Sequence, residues 1–422
     1  MSASHDTGRL RALARPTSFT FDGERVEGEL GEPVACALVA LGRMPWARSP
    51  KFHRPRGPAC LRAACDGCLA RVDGEPNVMT CTVPLAPDMD VRTQNTLGSR
   101  TIDLLRITDW FFPDGFNHHE LFAGVTGVQT VMEVFARRVA GLGRLPARSV
   151  ATKPASRRRL DALVIGAGPA GMAAALTLAD RGRAVEIVDE GFGAGGSLRA
   201  LHEAEMPRIH EVGHAFERAL HGGLVAARTR AVVGAIFERD VLVVGEGGAE
   251  ILDPETLVLA PGAHDGVLAF EGNDLPGVMS ARACATLVGR GVRPGDHVLI
   301  AAPGEPSPFT RSIGRILSGT GVEVTVVEEP PVRVTGSSRV REVELGGRRV
   351  RADLCVVDVE PSPAYELAQQ AGATLVHEPR GYVPALREAG RIDARTWIVG
   401  ESAGARLAEE MIDGVRAVIG AI

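Results

Sequence analysis

Four of the seven cysteines fall within a stretch of 22 residues. Their spacing is C-x4-C-x2-C-x12-C, and the stretch begins at Cys60 and ends at Cys81. This order is the plant-type arrangement for a 2Fe-2S cluster, in which four thiolates converge on two irons. The predicted cluster ligands are Cys60, Cys65, Cys68 and Cys81.

Structural zinc is the alternative occupant of such a cysteine group. It prefers two short C-x2-C pairs around a tetrahedral site. Here the first pair is stretched to x4 and Cys81 stands alone, so the spacing favours the iron–sulfur cluster. The small residues Ala63, Ala64 and Gly67 predict that backbone amides of the loop approach the sulfides and donate hydrogen bonds to them.

A glycine loop is the second chemical signal. Residues 166–171 read Gly-Ala-Gly-Pro-Ala-Gly, between a strand pattern over 161–165 and a helical pattern over 172–181. Gly166 permits the tight turn, Gly168 lets the backbone meet a pyrophosphate, and Gly171 allows close packing of helix on strand. Asp189, 18 residues after Gly171, ends the next strand, where an acid is expected to bind the adenosine ribose hydroxyls. Glu190 follows and leaves no basic residue for a 2′-phosphate, which disfavours NADP. The predicted binding residues here are Gly166, Gly168, Pro169, Ala170, Gly171, Asp189 and Glu190.

Three further segments are typical of flavoproteins with two dinucleotide-binding domains. Residues 195–197 fit a second backbone approach to the phosphates. Residues 256–262 resemble the strand that returns the chain to the first domain. Residues 399–404 resemble the Gly-Asp motif whose carboxylate holds the ribityl chain of FAD, with a glutamate in place of the aspartate. The added candidate residues are Gly195, Gly196, Ser197, Ala260, Gly262, Gly400 and Glu401.

A second strand–loop–helix–strand series covers residues 297–327, but its loop is degenerate. Residues 303–308 read Pro-Gly-Glu-Pro-Ser-Pro. Proline lacks the backbone amide that would bind phosphate, and Glu305 adds a negative charge. We therefore expect a fold retained for packing and not an NAD(P)H site.

The elements that must position these residues change character along the chain. Residues 17–95 show a hairpin signal at Asp22-Gly23, a short apolar helix over 33–43 and the cysteine loop, which together predict a small α+β unit. From residue 160 onwards, strand and helix patterns alternate as in βαβ units. The expected divisions are a flexible tail (1–16), the 2Fe-2S domain (17–95), a helical connector (96–158), the first part of an FAD/NAD-binding domain (159–266), a second nucleotide-type fold (267–380) and the return segment of the FAD/NAD-binding domain (381–422).

The composition restricts the partners and the compartment. The 422-residue chain is 45% hydrophobic and 23% charged with a net charge of −5, which predicts a folded protein that does not bind nucleic acid. It shows no secretory leader and no apolar run of ~18 residues, so we expect a cytoplasmic protein without a membrane span. Cys36, Cys284 and Cys355 lie in apolar surroundings and are expected to be buried packing residues.

Several segments carry a resemblance to a known family. They are residues 49–58, 76–81, 93–95, 110–116 and 141–146, together with the glycine loop. They look like the N-terminal part of the alpha subunit of heterotetrameric sarcosine oxidase, and they are similar to cyanide synthase, opine oxidase and hydroxyproline dehydrogenase subunits. The resemblance covers about residues 17 to 422. It implies an α+β ferredoxin-like (β-grasp) 2Fe-2S domain followed by an α/β flavoprotein fold with two Rossmann-type dinucleotide-binding domains.

The resemblance also implies an assembly. A partner subunit of the glycine or sarcosine oxidase type binds FAD and oxidises a C–N bond, and electrons pass through an FMN at the subunit interface to the 2Fe-2S centre. The first nucleotide site holds FAD or NAD, and the final electron acceptor is open. Sarcosine oxidase alpha chains continue into an aminomethyltransferase-like, folate-binding domain. We expect this chain to lack that domain and the folate-coupled demethylation.

These observations predict the electron-transferring alpha-type subunit of a heteromeric amine or amino-acid oxidoreductase of the sarcosine, proline, hydroxyproline, opine or glycine class. One alternative is a self-contained NAD(P)H-dependent flavoprotein reductase with its own cluster. Another is a non-catalytic scaffold with a structural nucleotide. The sequence shows no nucleophile–base arrangement and no metal spacing among its 11 histidines, so no catalytic residue is assigned.

Overall fold

The structure is a computed structural model that describes residues 8–49, 52–94, 96–100, 102–111, 127–128, 130–131, 134, 154–386 and 390–422. Most of the expected helical connector lies outside the described residues, as do residues 1–7 of the expected tail. The chain divides into two compact units. The first comprises residues 1–150, 268–303 and 319–357, and the second comprises residues 151–267, 304–318 and 358–422. Within the described residues, no helix has the length and apolar character needed to cross a membrane.

The strands are short and numerous. Those up to residue 264 are β1 (Pro16–Phe21), β2 (Glu24–Glu29), β3 (Ala47–Arg48), β4 (Pro55–Arg56), β5 (Leu69–Val72), β6 (Glu75–Met79), β7 (Asp90–Arg92), β8 (Ser156–Ile165), β9 (Val185–Val188), β10 (Val225–Arg228), β11 (Val232–Phe237), β12 (Asp240–Gly245), β13 (Gly248–Leu259) and β14 (Ala263–His264). The later ones are β15 (Val278–Ser280), β16 (His297–Ala301), β17 (Glu323–Val327), β18 (Arg333–Thr335), β19 (Glu342–Leu345), β20 (Arg348–Arg351), β21 (Leu354–Val357), β22 (Ser362–Pro363), β23 (Leu375–Glu378), β24 (Gly381–Pro384) and β25 (Thr396–Ile398).

The described helices are α1 (Val34–Ala40), α2 (Ile107–Phe111), α3 (Pro169–Asp180), α4 (Pro207–His221), α5 (Ala281–Gly289), α6 (Pro308–Leu317), α7 (Glu366–Gln370) and α8 (Met411–Gly420). Short 3-10 helices cover Thr80–Thr82, Leu104–Arg106, Gly196–Ala200, Glu203–Glu205 and Gly400–Ala403.

The ferredoxin-like part of the first unit is a five-stranded sheet in the order β2-β1-β7-β5-β6. β1 and β2 form the predicted hairpin, whose turn places Asp22 and Gly23 in the left-handed region. Strands β1 and β7 run parallel. Every residue of α1 is buried, and Phe19, Phe21 and Trp46 are among the largest fully buried side chains. The predicted α+β fold class is thereby confirmed for this part of the chain.

The first unit also contains a four-stranded parallel sheet in the order β15-β21-β16-β17. Its central strands are apolar apart from His297 at the start of β16, and all four residues of β21 are buried. This pattern is typical of a parallel sheet covered on both faces. Strands β18, β19 and β20, which lie between β17 and β21 in the sequence, form a separate antiparallel sheet.

The second unit is built on a seven-stranded sheet. Strands β10-β9-β8-β13 are parallel neighbours, β12 and β11 continue the sheet antiparallel, and β25 pairs with β13. Helix α3 follows β8 and is largely buried, and α8 packs against it. This is the Rossmann-type arrangement that the glycine loop predicts.

One strand begins earlier than the sequence pattern indicates. Strand β8 begins at Ser156 and not at residue 161, because the twelve-residue strand β13 pairs with its whole length. Arg157 and Arg158 therefore lie in the strand, and they form ion pairs with Asp240 and Glu250 respectively.

Candidate iron–sulfur and dinucleotide sites

The four candidate ligand cysteines lie together in two pairs. The first pair is Cys60 and Cys65, whose sulfurs are 3.3 Å apart. The second pair is Cys68 and Cys81, whose side chains are hydrogen-bonded to each other. Within the described residues, no three His, Cys, Asp or Glu side chains are placed to hold one metal ion. Two sulfur pairs are what two irons bridged by sulfide require, since each iron takes two thiolates.

The loop directs its amide groups at these sulfurs. The N–H of Ala63 donates to Cys81 Sγ at 3.4 Å, and the N–H of Arg62 donates to Cys60 Sγ at 3.5 Å. The N–H of Gly67 also stabilises the thiolate of Cys65. The predicted approach of small residues in this loop is thus present, with the cysteine sulfurs as acceptors.

Backbone conformation explains how a short loop does this. Leu61 and Ala63 both have left-handed backbones, with φ of 53° and 59°. Non-glycine residues adopt this region rarely, and they cluster at functional sites when they do. At Gly67 any side chain is excluded, because a Cβ would lie 2.1 Å from the carbonyl oxygen of Gly57.

Within each pair the two thiols differ in acidity. The hydrogen bond from the Cys60 thiol lowers the pKa of Cys65, and the pKa of Cys60 is raised by the same bond and by burial. The hydrogen bond with Cys81 likewise lowers the pKa of Cys68 and raises that of Cys81. One thiol in each pair is therefore more readily deprotonated, which is the form that binds metal.

Two residues that the sequence patterns did not single out donate hydrogen bonds to the backbone of Cys68, in the second pair. The indole Nε1 of Trp46 donates to the carbonyl oxygen of Cys68 at 3.1 Å, and the hydroxyl of Thr80 donates to the same oxygen at 2.7 Å. Thr80 adjoins Cys81, which could have identified it. Trp46 has no such local signal. Four buried or half-buried sulfurs in two pairs, with amide donors around them, fit a 2Fe-2S cluster.

The glycine loop of the second unit is shaped as its sequence predicts. Gly166 has a φ of 96°, and a Cβ there would lie 2.2 Å from the carbonyl oxygen of Ala260. A Cβ at Gly171 would lie 1.7 Å from the Gly166 oxygen. In contrast, a Cβ at Gly168 would meet no protein atom within 4 Å. The space over Gly168, at the N-terminus of α3 that includes Pro169 and Ala170, is where a pyrophosphate fits.

The second glycine segment lies against this loop. Gly195 N donates to the carbonyl oxygen of Ala167 at 2.7 Å. A Cβ at Gly196 would lie 2.8 Å from Gly168 Cα, so the two backbones are in close contact. Ser197 follows in the 3-10 helix Gly196–Ala200. Two segments predicted separately are thus brought to one point.

The candidate acid Asp189 is bound to the same loop. One carboxylate oxygen accepts from Ala167 N at 2.6 Å, and the other accepts from Gly191 N at 2.7 Å. The carboxylate therefore has a fixed orientation at the end of β9. Glu190 is exposed at the next position.

The two later segments, residues 256–262 and 399–404, lie against the glycine loop. Ala260 N donates to the Ile165 carbonyl oxygen at 2.8 Å. Gly400 has a φ of 74°, and a Cβ there would lie 2.5 Å from Ala170 Cβ. Glu401 is 8% exposed, and one of its carboxylate oxygens lies 3.9 Å from the Cβ position of Gly262. The candidate dinucleotide residues therefore converge, and their cradle fits an FAD or NAD pyrophosphate.

The degenerate loop presents a different environment. The carboxylate of Asp358 accepts hydrogen bonds from Ser307 N at 2.8 Å and from Thr310 Oγ1 at 2.5 Å. Ser307 also caps α6 through its hydroxyl, and Pro308 supplies no amide there. A resident carboxylate thus lies at the helix end where a phosphate would need free amides.

A cysteine loop that presents two sulfur pairs, together with a Rossmann-type fold of the flavoprotein kind, defines an iron–sulfur flavoprotein oxidoreductase. Residues 14–96 match the family of 2Fe-2S iron-sulfur cluster binding domains, and residues 160–294 match the pyridine nucleotide-disulphide oxidoreductase family.

The chain is similar to the sarcosine oxidase subunit alpha of Rhizobium meliloti (strain 1021), at 32% identity over 385 residues, which is 82% of this chain and 38% of that protein. It is also similar to hydrogen cyanide synthase subunit HcnB of Pseudomonas protegens, at 27% identity over 57% of this chain and 56% of that protein. The resemblance expected from the sequence is confirmed. The chain spans between 34% and 38% of the length of the sarcosine oxidase alpha subunits it matches.

Among solved structures, the crystal structure of L-proline dehydrogenase from P. horikoshii has a TM-score of 0.73 and 19% identity, covering 97% of this chain and 74% of that one. At this identity the likeness establishes the fold alone. It agrees with the fold class that the sequence predicts.

Proposed function

We propose that this chain is the electron-transferring alpha-type subunit of a heteromeric amine or amino-acid oxidoreductase acting on CH–NH donors. Its partner is a glycine or sarcosine oxidase-type subunit that binds FAD and carries the substrate site. Cys60, Cys65, Cys68 and Cys81 would hold the 2Fe-2S cluster, which would supply one-electron transfer, and an FMN would bind at the subunit interface. FAD or NAD occupies the cradle around Gly168.

The observation that carries this proposal is the Asp358 carboxylate at the N-terminus of α6. It occupies amide and hydroxyl donors that a nicotinamide dinucleotide would need, and its charge repels a pyrophosphate. Electrons are therefore supplied from outside the chain. The names of the relatives support this proposal, since each is called a subunit of an oxidase or synthase.

The chain's own residues perform three tasks in this proposal. The two sulfur pairs bind the irons, and the amides of Ala63 and Gly67 stabilise negative charge on the sulfurs. The loop at Gly166 and Gly171 shapes the nucleotide cradle. Asp189, whose carboxylate accepts hydrogen bonds from two backbone amides, would accept hydrogen bonds from a ribose.

The test compares the purified full chain with the same chain co-expressed with its partner flavoprotein. Sarcosine, proline, hydroxyproline, glycine and an opine are supplied with a dye acceptor, and cluster reduction is followed by EPR. We expect turnover and a reduced-cluster signal only in the complex. Amine turnover by the chain alone would refute the subunit assignment, and NADH oxidation by the chain alone would favour the self-contained reductase. Mass spectrometry of the released cofactors identifies FAD, NAD or FMN.

A further inference from the structure

The cluster loop is attached to the second nucleotide-type fold within the first unit. The backbone N–H of Ser280 donates to the carbonyl oxygen of Ala59 at 3.1 Å. Arg56 Nη1 donates to the Asp274 carboxylate at 2.6 Å, in a pair whose side chains are both about one-third exposed or less. Both contacts reach the segment that leads directly into the first pair of ligand cysteines.

A third contact comes from close packing. A Cβ at Gly57 would lie 3.0 Å from Pro276 Cβ and 3.2 Å from Pro276 Cα. The carbonyl oxygen of Gly57 in turn is the atom that a Cβ at Gly67 would strike. Gly57 is therefore confined between Pro276 and Gly67, whose backbone amide is hydrogen-bonded to the Cys65 sulfur.

One peptide group transmits the contact at Ser280 to a ligand sulfur. The Ala59 carbonyl accepts from Ser280 N, and the N–H at the other end of the same peptide unit, that of Cys60, is hydrogen-bonded to the Cys65 sulfur. Hydrogen bonds that are linked through one peptide group polarise one another. Amide donors to cluster sulfurs are among the determinants of the reduction potential.

Ser280, the donor to the Ala59 carbonyl, is held rigidly. Ser280 ends β15, where it is in register with Val357 of β21. Its hydroxyl accepts from Ala283 N at 3.1 Å and so caps helix α5. A residue held by both a parallel sheet and a helix start has little freedom to move, so it presents its amide to Ala59 in one geometry.

We propose that residues 274–280 of the second nucleotide-type fold are a positioning element for the 2Fe-2S centre, which hold the Cys60–Cys65 pair and thereby raise the retention and the reduction potential of the cluster. This gives a role to a fold whose own loop is occupied by Asp358. The second pair is supported differently, by Trp46 and Thr80 of the ferredoxin-like sheet.

The test uses the full-length holoprotein and the variant Asp274→Asn, which removes the charge that holds Arg56. The matched control is Glu271→Gln, which breaks the exposed ion pair with Arg333 in the same segment of chain without touching the cluster loop. Iron release to a chelator and the midpoint potential from EPR-monitored titration are measured for both. We expect Asp274→Asn to release iron roughly 10-fold faster, at the low end for loss of an outer partner of a metal site. Its midpoint potential is expected to fall, and Glu271→Gln is expected to match the parent.

A second variant, Gly57→Ala, tests the same proposal if Asp274→Asn does not fold. Gly57→Ala has an allowed backbone conformation and presses on Pro276, so it is expected to alter the g values of the reduced cluster. Gly247→Ala, whose Cβ meets no atom within 4 Å, is the control. Parent-like iron release, potential and g values in Asp274→Asn and Gly57→Ala would overturn the proposal. Equal changes in Asp274→Asn and Glu271→Gln would also overturn it, because they would indicate general destabilisation.

Discussion

The indole N–H of Trp46 donates to the carbonyl oxygen of Cys68 at 3.1 Å, which connects the core of the ferredoxin-like sheet to a candidate ligand cysteine. Trp46 is fully buried, so this polar contact is made where water is absent. The same oxygen also accepts from the Thr80 hydroxyl. The backbone of Cys68, in the second sulfur pair, is therefore hydrogen-bonded to a residue of the ferredoxin-like core.

Replacing the Trp46 indole tests how much this buried hydrogen bond contributes to stability. Trp46→Phe removes a buried hydrogen bond and part of the packing, and we expect a loss of about 1–2 kcal/mol. This corresponds to a fall of roughly 2–8 °C in the apparent melting temperature of the holoprotein. The cluster is still expected to bind, because Thr80 keeps the Cys68 carbonyl satisfied. Trp110→Phe is the control, since Trp110 is 78% exposed, and an equal fall in that variant would contradict the explanation.

Thiol reactivity is expected to separate the four candidate ligand cysteines from the other three. Burial raises the pKa of Cys36, Cys284 and Cys355 to about 12, so at pH 8 only about one part in 10^4 is thiolate. We expect mass spectrometry to find none of the three alkylated in native protein, before or after a chelator removes the iron. Removal of the iron is expected to expose the four ligand cysteines to the reagent. Alkylation of Cys284 in the folded holoprotein would show that the burial argument is wrong.

The open space over Gly168 makes a sharp substitution possible. Gly168→Glu meets no protein atom at its Cβ and places a carboxylate where the pyrophosphate would lie. We expect the purified variant to contain no dinucleotide while it keeps its full iron content. Gly414→Glu, in open space on α8, is the matched control. Parent-level nucleotide in Gly168→Glu would remove this loop from the binding site.

An ion-pair network on the second unit predicts a pH effect. Hydrogen bonds from Arg158 and then Arg228 hold the pKa of Glu250 below its ordinary value near 4.5. A carboxyl with a lowered folded pKa stabilises the fold above the unfolded value, and this contribution is lost as the pH falls through the folded pKa. Glu250→Gln is therefore expected to cost about 1 kcal/mol at pH 7 and progressively less below pH 4.5.

Thermal unfolding of parent and variant at matched pH values measures this difference. Glu246→Gln serves as the control, because its ion pair with Arg230 is largely exposed and should contribute less. A difference between Glu250→Gln and the parent that stays constant down to pH 3 would show that the charge on Glu250 does not contribute.

Local patterns predicted those parts of the molecule in which neighbouring residues decide the backbone. The turn at Asp22-Gly23, the buried helix α1 and the tight loop at Gly166 all depend on a few adjacent side chains and φ angles. The start of β8 was missed because it depends on the length of β13, nearly a hundred residues later. Trp46 was missed because nothing near it in the sequence marks its contact with Cys68.

The sequence by itself determined the candidate residues for binding iron and a dinucleotide, since thiolate spacing and glycine spacing restrict a loop directly. Only the tertiary structure decided that the cysteines form two pairs, that Asp358 lies against Ser307, and that Ser280 supports Ala59. These contacts join residues far apart in the chain. They depend on how whole sheets are stacked and registered, and hydrophobic periodicity records which face of an element is buried but not which distant element covers it.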